Sequence, residues 1–353
     1  MTTTSRQEKV AAEFEVQAQS CDQMHSALYG GLCRSVAANV RTGGICWSLL
    51  ESTAELSLAL AVPLRFLGAV HRIALRGDAP PLAAFYPSCG GTPGDGVTAA
   101  FFHAVREHEA EIKIGLTQGV QTNEVGRSAA LFEGLGIVQR RTGHPMALRE
   151  IGCSGGLNLQ MDRFRYVDGD YVGGDPNGEV VIADRWRGAI RPALLPIDIA
   201  DQAGCDPNPI DPLTDAGRLL LLGFLWPDQV DRLERTAAAI ELARARSVRQ
   251  DQARAIDWLS GELHSRSPGS TTVVYHSIVW QYIEGEERAA ITALVGAAGA
   301  AATSQSPLAW LQFEPASSHE HAELTLRLWD GSSTGDVELL ARCGFHGQWV
   351  ELV

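Results

Sequence analysis

Residues 146–164, MALREIGCSGGLNLQMDRF, read as a short apolar strand, a Gly-rich turn and the start of a helix at Leu157. Met146–Ile151 is the strand: six residues, mostly apolar, bounded by glycine. Downstream, strand-like and helix-like stretches alternate. PIDIADQAGCDPNP (196–209) gives a strand, Thr214–Arg246 a helix broken at Trp226-Pro227, and SVRQDQARAIDWL (247–259) a short strand leading into a helix. STTVVYHSIVWQYI (270–283) has the densest run of β-branched and aromatic residues. An Ala-rich helix over Gly285–Ala302 and the strand PLAWLQFEP (307–315) follow. Such alternation predicts a parallel, doubly wound Rossmann-like sheet with helices on its faces. AELTLRLWDG and VELLARCGFHGQWVEL (322–331 and 337–352) alternate in polarity and predict a closing antiparallel strand pair. The Gly/Asp-rich DGDYVGGDPNGEVVIADRWRG predicts an inserted hairpin near 166–192.

Upstream of Met146 the texture is helical. Residues 8–75 carry apolar side chains at three- and four-residue spacings, including one run over 53–75, TAELSLALAVPLRFLGAVHRIAL. A Pro/Gly loop at 80–96 precedes a helix over Val97–Ile114, and QTNEVGRSAALFEGLGIVQRRTG (121–143) gives another. That helix has Thr122 or Asn123 as N-cap and Gly143 past its end. The expected domains are a helical N-terminal cap over 1–120, closing over a substrate, and a sheet domain over 121–353.

The chain has 353 residues with 29 Lys+Arg against 42 Asp+Glu, a net charge of −13. Its 45% hydrophobic content is that of a globular protein able to bury a core. The acidic balance argues against nucleic acid or an anionic membrane as partner. Seven scattered cysteines show no zinc or redox spacing. The start MTTTSRQEKV lacks the apolar segment of a signal peptide, and 56–70 is interrupted by Pro63 and Arg65. A cytoplasmic protein with reduced thiols is expected.

The turn Glu150-Ile151-Gly152-Cys153-Ser154-Gly155-Gly156 carries the chemistry. Glycines let a backbone approach a nucleoside ligand closely, and an acid at the strand end can accept ribose hydroxyls. The stretch resembles the first motif of class I S-adenosylmethionine-dependent methyltransferases, an acid and an apolar residue before Gly-x-Gly-x-Gly, with Ser154 in place of the middle glycine. The chain from Thr122 onward also resembles an uncharacterised, mainly actinobacterial family. The segments that carry this are TNEVGRSAAL, LREIGCSGGLNLQMDRFRY, FLWPDQVDRL, VVYHSIVWQY and CGFHGQWVE. GCSGG also fits Gly-x-Ser-x-Gly, the nucleophile elbow of α/β-hydrolases, with Asp251 and His276 or His346 as triad partners for Ser154. A plain β–α turn without ligand is the third reading, and a non-catalytic nucleoside-binding protein remains an alternative function.

The methyltransferase resemblance implies a cofactor site made of Arg127, Glu150, Gly152, Ser154, Gly156, Asn158, Asp206, Asp251 and Ser277. Asp206, with Asp201 near it, would bind the ribose and Asp251 the adenine side. Each is equally readable as a turn or helix cap. Arg127, on one helix face with Asn123 or Glu124, would pair with the cofactor carboxylate. His276 or Glu314, at the ends of later strands, would be the general base. His319, Glu320 and His321 sit in a polar loop and read as solvated, so no metal is expected. The expected activity is S-adenosylmethionine-dependent O-methylation of a small-molecule hydroxyl, a sugar or natural product, with a homodimer left open.

Overall fold

The computed structural model describes residues 2–55 and 61–353. The chain divides into two compact units: Met1–Thr122 with Thr214–Ala237, and Asn123–Leu213 with Ala238–Val353. The segment 214–237 thus joins the helical unit although it lies between two strands in sequence. Its Trp226 is buried in the helical core and packs against Tyr29, ring centroids 6.2 Å apart.

In the helical unit, helices Thr3–Gln23 and Ala27–Arg41 pack side by side. Ser26 accepts from Tyr29 N at 3.4 Å at the start of the second helix and donates its hydroxyl to Asp228 at 2.6 Å. Val62–Arg76 is the central helix, burying Phe66, Val70 and Ile73 among Phe14, Leu32, Val36 and Phe101. The sequence suggested one helix through 53–75. Thr53 instead closes a short 3-10 turn, residues 56–60 lie outside the described residues, and Ala61 is left-handed at φ 48°. The helix begins only at Val62, with Pro63 in its first turn, where a missing N–H breaks no helical bond. The helix expected over Val97–Ile114 is divided into Val97–Glu107 and Glu109–Leu116.

The other unit is built on twelve strands: β1 Met146–Ile151, β2 Arg165–Asp168, β3 Tyr171–Gly174, β4 Val181–Ala183, β5 Trp186–Arg187, β6 Ile199–Asp206, β7 Arg249–Gln252, β8 Thr271–Ser277, β9 Leu308–Pro315, β10 Ala322–Trp329, β11 Glu338–Cys343 and β12 Val350–Leu352. Nine of them form one sheet in the order β5-β12-β11-β10-β9-β8-β1-β6-β7. The run β7-β6-β1-β8-β9 is parallel, and β9-β10-β11-β12 is antiparallel. The fold is therefore α/β, with a helical N-terminal region and a mixed sheet whose parallel part ends in an antiparallel set. The expected closing pair is three strands, because Gly344–Gly347 turns the chain and Gly344 N bonds back to Trp349 O. The insertion forms a small sheet, β3-β2-β4, and then sends β5 to pair in parallel with β12, so it is more than a hairpin.

Both faces of the sheet carry helices. On β9, Trp310 joins the core formed with Trp258 and Leu259 of helix Ala255–His264 and Ile291 and Val295 of helix Gly285–Ala300. Leu311 points the other way, as alternation along a strand requires. There it meets helix Ser128–Thr142 so closely that a Cβ at Gly134 would stand 2.7 Å from Leu311.

Two further expectations change. The segment after the turn is a seven-residue 3-10 helix, Leu157–Arg163, rather than an α-helix. Its Met161 carbonyl accepts from Phe164 N at 3.3 Å and the Tyr166 hydroxyl at 3.0 Å, which ends it at the start of β2. Neither Thr122 nor Asn123 caps the helix that ends at Gly143, which begins only at Ser128 with Arg127 at its N-cap and no side-chain cap. Asn123 Oδ1 accepts from Leu157 N, and Glu124, accepting from Gly126 N, caps the 3-10 turn Val125–Arg127 ahead of the helix. Gly143, left-handed at φ 68°, closes that helix as expected. All seven cysteines are free. Among the described residues no helix is long and apolar enough to cross a membrane.

Candidate functional site

Strand order reverses at β1, which pairs with β6 on one side and β8 on the other. The turn 152–156 leaves the C-terminal end of β1 at that point. Its shape comes from three left-handed residues, Gly152 (φ 69°), Ser154 (φ 51°) and Gly156 (φ 66°). Gly152 N and Cys153 N both donate to Cys205 O, at 2.8 and 3.1 Å, which folds the turn over the end of β6. Asp206, the last residue of β6, accepts from Ser154 N at 3.1 Å and from Asn208 N at 2.8 Å. A carboxylate taking backbone N–H groups offsets the strain of a non-glycine residue in the left-handed region.

The residues before the strand converge on the same place. Asn123 Oδ1 accepts from Leu157 N at 2.9 Å, and Asn158 Nδ2 donates to Glu124 O at 3.2 Å. Arg127 donates to Ser277 O at 3.1 Å and Phe345 O at 3.0 Å, tying the end of β8 to the turn between β11 and β12. Of the residues nominated from sequence, Arg127, Glu150, Gly152, Ser154, Gly156, Asn158, Asp206 and Ser277 are thus gathered around one turn. Asp251 lies one strand beyond Asp206, in β7, where it accepts from Trp258 Nε1 at 2.7 Å and faces Arg249.

Glu150 is buried and takes a hydrogen bond from the Tyr275 hydroxyl at 3.1 Å. Burial pushes its carboxyl from an ordinary 4.5 up to about 8, aided by the Asp206 charge and opposed by the Tyr275 bond and the Arg127 charge. Between about pH 4.5 and 8 the folded protein therefore keeps a proton that the unfolded chain has released. Stability should fall as pH rises through that window, by at most about 1.4 kcal/mol per pH unit from this group. Glu150→Gln should remove that slope in urea unfolding followed from pH 5 to 8. An unchanged slope would place the titrating group elsewhere.

His276 and Glu314 form a second cluster. In register, Glu150 pairs with Tyr275 and Ile151 with His276, so His276 points to the opposite sheet face from Glu150. His276 Nδ1 donates to Glu314 Oε1 at 2.6 Å, and the same oxygen accepts from Val279 N and Trp280 N at 3.1 and 3.2 Å. Gln312 donates to His276 Nε2 at 3.3 Å. The ring is fully buried, stacked 4.9 Å beneath Trp280 and 6.0 Å from Trp310. Both nitrogens are engaged and the ring is covered, so the pair holds the segment after β8 in place and is not presented to a reactant. A hydrolase relay through Asp251 and His276 is likewise not assembled, since these two are committed to Trp258, Glu314 and Gln312.

That segment matters to the turn. A Cβ on Gly152 would overlap Val279, and one on Gly156 would overlap the amide of Gln250. Tyr275, Gln312 and Val279 were missed from sequence. They act through strand register and a tertiary contact, and no local pattern marks them. Among the described residues no group of three or more His, Cys, Asp and Glu side chains could hold a metal ion.

No curated protein and no solved structure matches the chain. A family model does, over residues 11–352: the chain belongs to the family described as uncharacterized proteins conserved in bacteria, DUF2332.

Proposed function

We propose that the sheet unit binds S-adenosylmethionine at the turn after β1 and is a methyltransferase acting on a small-molecule hydroxyl. The observation that carries the reading is the place of the Gly-rich turn. It stands at the carboxyl end of the strand where sheet order reverses, which is where open α/β sheets bind nucleotides. The parallel run, numbered by its own strands, reads 3-2-1-4-5, the order of doubly wound nucleotide-binding sheets. Acids stand at the ends of two adjacent strands there, Glu150 one residue before the end of β1 and Asp206 the last residue of β6.

The residues present fit the cofactor in kind. Glu150 and Asp206 would accept ribose hydroxyls. Asn158 Oδ1 is a buried acceptor with no hydrogen-bond partner, suited to the cofactor's ammonium group. Val279 and Gln250 cover the bare faces of Gly152 and Gly156, so these two side chains have to withdraw for the ribose to enter. When bound, the cofactor supplies an electrophilic methyl carbon on a sulfonium. The protein's part is then to orient the acceptor oxygen in line with it and to exclude water. His276 and Glu314 contribute by fixing Trp280, whose half-exposed ring would form one wall of the acceptor site.

The test is calorimetric titration with S-adenosylmethionine and S-adenosylhomocysteine. Micromolar binding is expected, and Glu150→Ala should weaken it at least about tenfold while circular dichroism shows an intact fold. Failure of both ligands to bind folded wild-type protein would end the methyltransferase reading.

A further inference from the structure

A second site of chemistry lies in the helical unit, and its argument is independent of the methyltransferase reading. His71, in the central helix, is fully buried. Its Nδ1 lies 3.3 Å from Gly223 O, and its Nε2 lies 2.8 Å from Ser88 Oγ. A carbonyl oxygen can only accept, so Nδ1 carries the ring proton. In the neutral ring Nε2 is then a bare lone pair that accepts the Ser88 hydroxyl proton. Burial pushes the His71 imidazole down to about 4, which keeps it neutral at pH 7. A backbone carbonyl thus sets the tautomer, as an acid does in a Ser-His-Asp relay.

Ser88 itself is half-exposed. It sits in a 3-10 turn, Pro87–Cys89, closed by left-handed Gly90 at φ 79°. Its N–H donates to Pro227 O at 2.9 Å, so the turn is anchored on both sides of the hydroxyl. Tyr86 packs edge-on against the His71 ring at 5.7 Å, and its hydroxyl is buried with no hydrogen-bond partner.

We propose that Ser88, activated by His71, is an acyl-accepting nucleophile for small activated esters. Ser88 Oγ attacks the ester carbonyl carbon and forms the C–O bond, while the carbonyl π pair moves onto its oxygen. The Oγ proton passes to His71 Nε2. As the tetrahedral species collapses, the bond to the leaving alkoxide breaks and the imidazolium returns the proton to it, leaving acyl-Ser88 and an alcohol. Water then attacks the acyl carbon, giving a proton to His71 Nε2. As the second tetrahedral species collapses, the bond from the acyl carbon to Ser88 Oγ breaks, the imidazolium returns its proton to Oγ, and the carboxylic acid leaves with the Ser88–His71 pair restored.

The test uses the full chain with a fluorophosphonate probe, followed by proteolysis and mass spectrometry. Attack by Ser88 displaces fluoride and leaves a phosphonylated serine. About one adduct per chain is expected, on the peptide carrying Ser88. It should be absent in Ser88→Ala and formed at least about 100-fold more slowly in His71→Gln, the scale of a lost general base. If His71→Gln does not fold, the wild-type peptide map decides alone. No adduct, or an adduct confined to Ser154 or Cys89, overturns the proposal and leaves the pair as a purely structural link.

Discussion

Glu314→Ala should lower the unfolding free energy by about 3–5 kcal/mol, because one carboxylate oxygen is the shared acceptor of three donors. The size follows from what one oxygen does. Glu314 Oε1 accepts from His276 Nδ1, Val279 N and Trp280 N. Alanine leaves three donors unsatisfied at a place where His276 is sealed between Trp280, Trp310 and the sheet. Each such donor costs about 1–3 kcal/mol when water cannot replace its partner, and water entry at the half-exposed Trp280 limits the sum. Glu314→Gln keeps an acceptor oxygen and should cost only about 1–2 kcal/mol. Urea unfolding measures both values. Tryptophan emission should also shift in Glu314→Ala, since the Trp280 N–H and the His276 ring stacked on Trp280 both lose the oxygen that holds them. Equal costs for the two variants would mean that the shared oxygen does not hold the loop.

Gly152→Ala comes next in size. The left-handed backbone costs about 1–2 kcal/mol for a residue with a Cβ, and overlap with Val279 adds about 1–3 kcal/mol, for a total of about 2–5 kcal/mol. Gly143 offers an internal comparison. Its φ of 68° nearly equals the 69° of Gly152, yet an added Cβ there meets nothing within 4 Å. Gly143→Ala should therefore show the backbone cost alone. The difference between the two variants, read from thermal or urea unfolding, is the packing cost at the turn. If the variants match, Val279 does not press on Gly152 in solution.

The strands were legible wherever burial on both faces forces continuous apolar runs, as in TTVVYHS of β8, or where one face is wet, as in AELTLRLW of β10. The turn at 152–156 was legible because glycine is the residue that the left-handed region favours. Other features depend on partners far along the chain. Trp226 reads as part of a broken helix between strands, and only its packing on Tyr29 assigns its segment to the helical unit. The roles of the nominated site residues were hidden for the same reason. Asn123 has the composition of a helix cap, and its bond to Leu157, 34 residues on, appears only once β1 is placed. His276 and Glu314 were correctly put on neighbouring strand ends. Sequence could not show that their side chains would face each other across 38 residues and under a tryptophan.

The ends of the large sheet bear on how the folded chain behaves in a crowd of its own copies. Long, flat outer strands invite pairing with another molecule and, eventually, aggregation. Here the sheet finishes in β7, four residues, and β5, two residues. Each carries an arginine held in place: Arg249 bonded to Glu262 at 2.5 Å, and Arg187 lying 3.4 Å over the Trp349 ring while paired with Glu351. Short strands bearing fixed charge give an incoming strand little backbone to extend and a cation to desolvate. The nine-stranded sheet is thereby a poor template for intermolecular β-pairing, although its central strands are among the most apolar segments of the protein.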